Sequence, residues 1–172
     1  MDNLIEMMED PNAYHIIIKF LKNFSRNYNN QIYNAITDSN FLDICLHNIG
    51  CSSIQKVYEL AHNEYENKFN ELMIKYSSEL LFSNFGGFVI ISLINNQKKE
   101  LVTCIFENIL EKENALLDML KYKFSITIIE KSLGLIDLDL VKLISKKLIN
   151  ESLIIELTTF EDGFYCKFLS IK

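Results

Sequence analysis

The sequence predicts an all-α fold in which helical units of one kind are stacked side by side. A seven-residue pattern recurs at nearly constant spacing, and a repeat of roughly 20–50 residues is typical of stacked supersecondary units. The chain has 172 residues, of which 49% are hydrophobic and 23% charged, so it can bury a core. One proline and five glycines leave few turn formers, which indicates short connections between helices.

The recurring pattern has seven slots. Slots 4 and 5 hold apolar or small residues, slot 6 varies, and the residue two places past slot 7 is apolar. The copies are Ala13–Lys19, Gly50–Lys56, Gly86–Ser92, Ser125–Lys131 and Glu161–Lys167, at steps of 37, 36, 39 and 36 residues. Helices that bear the repeat are expected near residues 11–23, 50–62, 86–95, 124–133 and 161–171. We therefore predict one domain over residues 1–172, an α-solenoid of about four to five three-helix repeats.

Each period predicts a short helix, the repeat-bearing helix and a longer amphipathic helix. A short apolar segment opens the chain, and Asp10 with Pro11 predicts the start of the helix over 11–23, because Asp caps helices and proline fits the first helical position. A helix from Ser25 and a short one from Phe41 follow. The remaining helices are predicted over 50–62, 63–76, 77–81, 85–94, 98–110, 113–122, 124–133, 137–148, 151–158 and 162–171.

The termini and cysteines predict an intracellular protein. The first ten residues are acidic and lack the features of a secretory signal. The apolar runs are far shorter than the roughly 20 residues that span a bilayer, so we expect no membrane partner. Cysteines 45, 51, 104 and 166 show no paired spacing, which favours reduced thiols. We expect a cytoplasmic location, with the nucleus or nucleolus as alternatives.

Charge and motifs argue against several function classes. The net charge of −6, with Arg26 as the single arginine, argues against a surface that tracks nucleic-acid phosphates throughout, so any RNA contact must be local. The three histidines are scattered, and no nucleophile triad, phosphate loop or paired-carboxylate site is present. Cys45, His47 and Cys51 lack a fourth metal ligand. We expect no catalysis, metal, cofactor or small-molecule substrate.

Three copies of the pattern resemble a known repeat. Gly50–Lys56 reads Gly-Cys-Ser-Ser-Ile-Gln-Lys and resembles the RNA-reading helix of Pumilio-type (PUF) repeats: Gly, two base-facing residues, two apolar residues, Gln or Glu, then Lys or Arg. Phe85–Ile90 is similar to the form aromatic-Gly-Asn-Tyr-Val-Ile, and Ser125–Lys131 to Gly-Ser-Asn-Val-Val-Glu-Lys. Asp10–Tyr14 resembles the lead-in Asp-Pro-Tyr-Gly-Asn. The resemblance covers residues 10–172.

The resemblance implies that each repeat takes one RNA base, with slots 2 and 6 on the base edge and slot 3 stacked on its face. In the second copy, Cys51 and Gln55 match the edge pair that goes with adenine in this family, and Ser52 holds the stacking slot without a planar surface. The other copies imply a degenerate code, with Phe164 and Tyr165 available in the last one. Their implied RNA-binding residues are Tyr14, His15, Gly87, Phe88, Thr127 and Glu130.

Lysine recurs in slot 7, at Lys19, Lys56, Lys131 and Lys167. These side chains could pair with phosphates along one edge of the row. The alternative is that they are simply the solvated side of amphipathic helices, and that the aromatic residues at helical spacing belong to the core.

The implied function is a non-catalytic RNA-binding module, with single-stranded or ribosomal RNA as partner and a role in post-transcriptional regulation. Solenoid ends need caps, so exposed repeat ends should dock on a protein, on an assembly such as a ribosomal particle, or on a second copy. Phe168, Leu169 and Ile171 are the predicted docking residues at the C-terminal end. The alternative is an armadillo or HEAT-like protein-binding scaffold, whose units run to about 40–47 residues.

Overall fold

The computed structural model describes residues 3–38, 40–62, 64–112 and 114–148. The helices in this part of the chain, in order, are α1 (Asn3–Glu9), α2 (Tyr14–Asn23), α3 (Arg26–Asp38), α4 (Phe41–Leu46), α5 (Gly50–Leu60), α6 (Glu64–Lys75), α7 (Ser77–Leu81), α8 (Asn84–Asn95), α9 (Lys99–Glu111), α10 (Ala115–Leu120), α11 (Lys123–Leu133) and α12 (Leu138–Leu148). No strand interrupts them within the described ranges.

The helices form three rows. The repeat-bearing helices α2, α5, α8 and α11 pack side by side in sequence order, and we call them the motif row. A second set of helices also packs in sequence order, and we call it the long row: α3, α6, α9 and α12. The remaining short helices form the short row: α1, α4, α7 and α10. The predicted three-helix repeat is therefore confirmed over four units. The fifth copy and the helices predicted over 151–158 and 162–171 lie outside the described residues.

The core explains why slots 4 and 5 are apolar or small. In α5, α8 and α11 both slots are almost completely buried, with Ile54, Ile90 and Ile129 at slot 5 fully enclosed. Helices α5 and α8 each lie between two other motif helices, so their apolar stripes are covered by neighbouring repeats as well as by their own. Burial of an aliphatic side chain of this size stabilises the fold by roughly 1.5–3 kcal/mol.

Glycine at slot 1 lets the short row approach the motif row. A Cβ at Gly50 would lie 2.3 Å from the carbonyl oxygen of Ile44 in α4, and one at Gly86 would lie 2.7 Å from the carbonyl oxygen of Leu80 in α7. Real Cβ atoms do not come this close to backbone, so neither position has space for a side chain. The absence of a side chain is therefore a packing requirement at both positions.

Polar contacts made by donors in or next to the long row tie each repeat to the preceding one. Lys68 Nζ donates to Asn34 Oδ1 at 3.3 Å and Lys112 Nζ to Ser78 Oγ at 2.7 Å. Asn108 Nδ2 donates to the Ile74 carbonyl at 2.8 Å and Lys147 Nζ to the Leu110 carbonyl at 2.7 Å. Donor and acceptor are about one repeat apart in each case, so these bonds fix the stacking of successive units.

The first motif helix begins later than predicted. The sequence predicts a start at about Pro11, whereas α2 starts at Tyr14 and residues 11–13 form a turn. The carboxylate of Asp10 accepts hydrogen bonds from the backbone N–H groups of Asn12 and Ala13, at 2.8 and 2.7 Å. These bonds lower the pKa of Asp10. Asp10 therefore stabilises a turn rather than the first helical turn.

None of the helices that the structure describes combines the length and the apolar character needed to cross a bilayer.

Candidate nucleic-acid interface

A groove runs between α5 and α8, at the second and third copies of the pattern. It has a volume of about 350 Å³. One wall carries Asn48, Cys51, Ser52 and Gln55, and the other carries Phe85, Phe88, Ile91, Ser92 and Asn95. The structure therefore brings together slots 2, 3 and 6 of the second copy, which the sequence predicts as an RNA-binding set.

Cys51 and Gln55 stand one turn apart on α5. The side-chain nitrogen of Gln55 donates to the Cys51 carbonyl at 2.7 Å, which orients the amide along its own helix. The Cys51 thiol lies 3.3 Å from the Asn48 carbonyl, and burial raises its pKa. The thiol is therefore neutral at physiological pH, and Gln55 is held as the polar group of this wall, with its Oε1 able to accept from a base amino group.

Two caps fix the ends of these helices. Nδ1 of His47 accepts from the backbone N–H groups of Ile49 and Gly50, at 3.3 and 3.2 Å, where α5 begins. Oγ of Ser83 accepts from the Gly86 N–H at 3.3 Å at the start of α8. His47 thus serves as a helix cap. No group of three or more His, Cys, Asp or Glu side chains within the described ranges is arranged to hold a metal ion.

Phenylalanine supplies the flat surfaces of the groove. Phe88, at slot 3 of the third copy, is 46% exposed, and Phe85, just before slot 1, is 39% exposed. The second copy has only Ser52 at its stacking slot, so both aromatic faces come from the neighbouring repeat. An exposed aromatic ring beside an amide is an arrangement that can hold a nucleobase by stacking and hydrogen bonding.

The next groove, between α8 and α11, is closed. Its slot 2 is Gly87, which the sequence predicts as part of a base site, but Gly87 is buried. A Cβ there would lie 2.4 Å from Cε1 of Phe124, so the Phe124 ring fills the space where a side chain would be. Phe88 packs edge-on against the same ring, with centroids 4.9 Å apart. In this structure the ring of Phe124 covers Gly87, and the role of Gly87 in RNA binding stays a prediction.

The first copy presents two rings that pack on each other. The ring centroids of Tyr14 and His15 lie 4.0 Å apart, at 33°. His15 is exposed, whereas Tyr14 is half-buried. One face of the His15 ring is therefore covered by Tyr14, and only its other face could stack on a base.

The fourth copy has a polar residue at slot 6 but an apolar one at slot 2. Glu130 is exposed and Thr127 half-buried, but Ile126, at slot 2, is buried. Glu130 therefore has no polar residue at slot 2 with which to hold the edge of a base. The fifth copy, with Lys167, Phe164 and Tyr165, lies outside the described residues.

Lys19, Lys56 and Lys131 are exposed at slot 7, as the sequence predicts. Lys56 lies 3.3 Å from Glu59, an exposed pair one helical turn apart that contributes little to stability. Among described side chains, the motif row carries Lys19, Lys22, Lys56 and Lys131 against Glu59 and Glu130. The short row carries five acidic side chains and no basic one: Glu6, Glu9, Asp43, Glu79 and Asp118. Among the described side chains, the motif row therefore carries a net positive charge and the short row a net negative one, while at the groove itself Lys56 is paired with Glu59.

Sequence reasoning missed four residues that line the groove. Asn48 lies one turn before Cys51, and Ser92 and Asn95 continue the stripe of Phe88 along α8. Phe85 precedes slot 1 of its copy. The helical spacing of these residues was the signal that could have found them, because positions three and four apart share one face.

Solved structures share this arrangement of helices. Yeast Puf5p, whose RNA-binding domain was solved bound to SMX2 RNA, matches with a TM-score of 0.77 and 19% identity, over 98% of this chain and 48% of that chain. The Puf4 RNA-binding domain, bound to the 3′ UTR recognition sequence of HO endonuclease RNA, matches with a TM-score of 0.76 and 20% identity, over 95% of this chain and 49% of that chain. PUF-8 in complex with PBE-RNA matches with a TM-score of 0.75 and 16% identity, over 95% of this chain and 46% of that chain.

The chain has the Pumilio-type fold. It spans about half the length of these structures. No protein-family model and no curated protein sequence matches the chain. At this level of identity the fold is shared, whereas the ligand has to be argued from the groove itself.

Proposed function

We propose that the chain is a non-catalytic RNA-binding module of Pumilio-type repeats with a degenerate base code. The observation that carries the proposal is the groove between α5 and α8, where Gln55 and Cys51 face the rings of Phe85 and Phe88. The groove provides a polar edge and flat faces for one base. The Cys51 and Gln55 pair favours adenine, because in the family that this helix resembles the same pair goes with adenine.

The charge distribution supports a nucleic-acid ligand over a protein ligand. The motif row is the more basic of the rows, while the short row is uniformly acidic. Backbone phosphates would meet Lys19, Lys56 and Lys131 along one edge of the motif row, and each neutralised phosphate adds a salt-dependent increment of affinity.

The code is degenerate because the copies differ at the residues that read bases. Among the described copies, only the second combines a polar amide at slot 6 with a slot 2 residue that lines the open groove, although Cys51 itself is largely buried. The proposal therefore assigns one well-read base and weak preferences elsewhere. We extend the proposal to single-stranded RNA in the cytoplasm, with ribosomal RNA as the alternative, and to docking of the repeat ends on a larger RNA–protein assembly.

Fluorescence polarisation with a short random RNA pool at two salt concentrations tests the proposal. We expect binding at low salt that weakens at high salt, and weaker binding by the double variant Gln55→Ala, His15→Ala. A pool without adenine should bind less well than one without uracil. The proposal fails if no binding is detected at low salt or if the double variant binds as the wild type does.

A further inference from the structure

The ring of Phe124 lies at the place where the third copy of the pattern would take a base. The resemblance assigns the edge of that base to slot 2, Gly87, and its face to slot 3, Phe88. A Cβ at Gly87 would lie 2.5 Å from Cδ1 of Phe124, and the rings of Phe88 and Phe124 have centroids 4.9 Å apart. One ring therefore contacts both positions and takes the volume that a base would need.

A buried hydrogen bond holds the start of α11 in this position. Ser125 follows Phe124 in the chain, at slot 1 of the fourth copy, and its Oγ donates to the Leu81 carbonyl at 2.6 Å. Ser125 and Leu81 are each 1% exposed, so the bond is shielded from water. Slot 1 of the second and third copies is Gly50 and Gly86, which have no side chain to make such a bond. The residue next to Phe124 therefore ties it to the preceding repeat.

The third copy also has no side chain that could read the edge of a base. Its slots 2 and 6 are Gly87 and Ile91, and neither side chain carries a hydrogen-bond donor or acceptor. The same slots of the second copy are Cys51 and Gln55, which line the open groove. A base that entered the third copy would lose water from its polar edge without gaining hydrogen bonds from these two slots, which is unfavourable. The slots and the ring of Phe124 thus act in the same direction.

We propose that Phe124 is a specificity-determining residue whose ring removes the third copy from the base-reading positions of the motif row. This inference rests on the proposed function, in which an adenine lies beside Gln55. The next base, on the side of the fourth copy, then stays outside the row, because Phe124 fills its position. Its nucleotide contributes backbone contacts but no base identity, so the RNA is read with a gap.

An abasic scan by fluorescence polarisation tests for the gap. The probe is a nine-nucleotide RNA with a single adenine in the middle of uridines, so that the adenine sets the register at Gln55. Each nucleotide in turn is replaced by an abasic one. With the wild type, loss of the adenine should weaken binding by roughly tenfold, whereas loss of the next base on the side of the fourth copy should change binding by less than about twofold. His15→Ala identifies the opposite neighbour, because the sensitivity of that position should fall when the first copy loses its exposed ring.

Two variants show whether Phe124 causes the gap. In Phe124→Ala the tolerated position should become sensitive, so that its abasic form binds at least about fivefold more weakly than the intact RNA. Phe82→Ala is the matched control, because Phe82 is also half-buried and contacts another aromatic ring, that of Tyr122, with centroids 5.6 Å apart. This control should keep the wild-type profile. Circular dichroism checks that both variants are folded.

The outcomes separate this inference from the proposed function. Absence of binding even by the random RNA pool at low salt overturns both. Failure of the nine-nucleotide RNA alone, sensitivity of both neighbours of the adenine in the wild type, or an unchanged profile in folded Phe124→Ala overturns the inference and leaves RNA binding standing. The wild-type profile needs no substitution, so it decides the question even where a variant fails to fold.

Discussion

The two grooves on either side of α8 are built from equivalent positions, yet one is open and the other is filled. In the groove between α5 and α8, slot 2 is Cys51 and the ring before the next copy, Phe85, stands at the rim, 39% exposed. In the groove between α8 and α11, slot 2 is Gly87 and the equivalent ring, Phe124, lies over the glycine. The grooves therefore differ at slot 2, where Cys51 lines an open groove and Gly87 leaves space that the Phe124 ring fills.

The largest effect is expected at Gly87, where the two grooves differ. Gly87→Ala places a Cβ 2.4 Å from the Phe124 ring, so we expect a loss of about 3 kcal/mol in the free energy of unfolding, as for strong overpacking. Urea denaturation measures this. Gly134→Ala is the control, because its Cβ would meet nothing closer than 3.9 Å and its φ of −81° suits alanine. Equal stability of the two variants would show that the ring of Phe124 moves aside freely.

The next effect concerns the ring that belongs to both grooves. Phe88→Ala removes an exposed aromatic face, and we expect RNA affinity to fall by about 2 kcal/mol, the value of one base stacked on an aromatic ring. Polarisation titrations with a short RNA measure the loss. Phe24→Ala removes a ring of similar exposure that does not line the groove, so its RNA affinity should be unchanged. A similar loss in both variants would contradict the assignment of Phe88.

Alanine substitutions of the two equivalent phenylalanines, Phe85 and Phe124, should change RNA affinity in opposite directions. Phe85→Ala removes a wall of the open groove, so RNA affinity should fall by about 1 kcal/mol. Phe124→Ala empties the closed groove, so affinity should rise by about 1 kcal/mol if a further base enters, while stability falls. The same titrations measure both. A change in the same direction for both variants would refute the view that Phe124 occupies a base position.

The smallest effect is expected at the edge of the open groove. Lys56→Gln should lower RNA affinity by less than about 1 kcal/mol and reduce the slope of log affinity against log salt by about 0.7, the value for one phosphate of a single strand. Lys146→Gln, an exposed lysine of the long row, serves as control and should leave the slope unchanged. A slope that changes equally in both variants would indicate attraction by overall charge.

The sequence predicts the rows well and the grooves only in part. The period and the buried slots follow from residues near each other in sequence, such as Ile54 within its own helix, so the pattern alone indicates them. The covering of Gly87 depends on the rotamer of Phe124, which is a whole repeat away. The pattern within one copy does not contain that residue, so it could not predict the contact. The late start of α2 has a similar cause, since the Asp10 carboxylate can cap a turn or a helix and only the backbone geometry decides.

The contact between Lys68 and Asn34 in the long row, and the one between Lys112 after α9 and Ser78 of the short row, bear on how the array comes apart. Because each repeat is fastened only to its neighbours, melting should begin at the outer units and move inwards. Amide hydrogen exchange should therefore be slowest in α5 and α8, which have a repeat on either side among the described units. The groove between them would then be the last part of the described surface to lose its shape on warming.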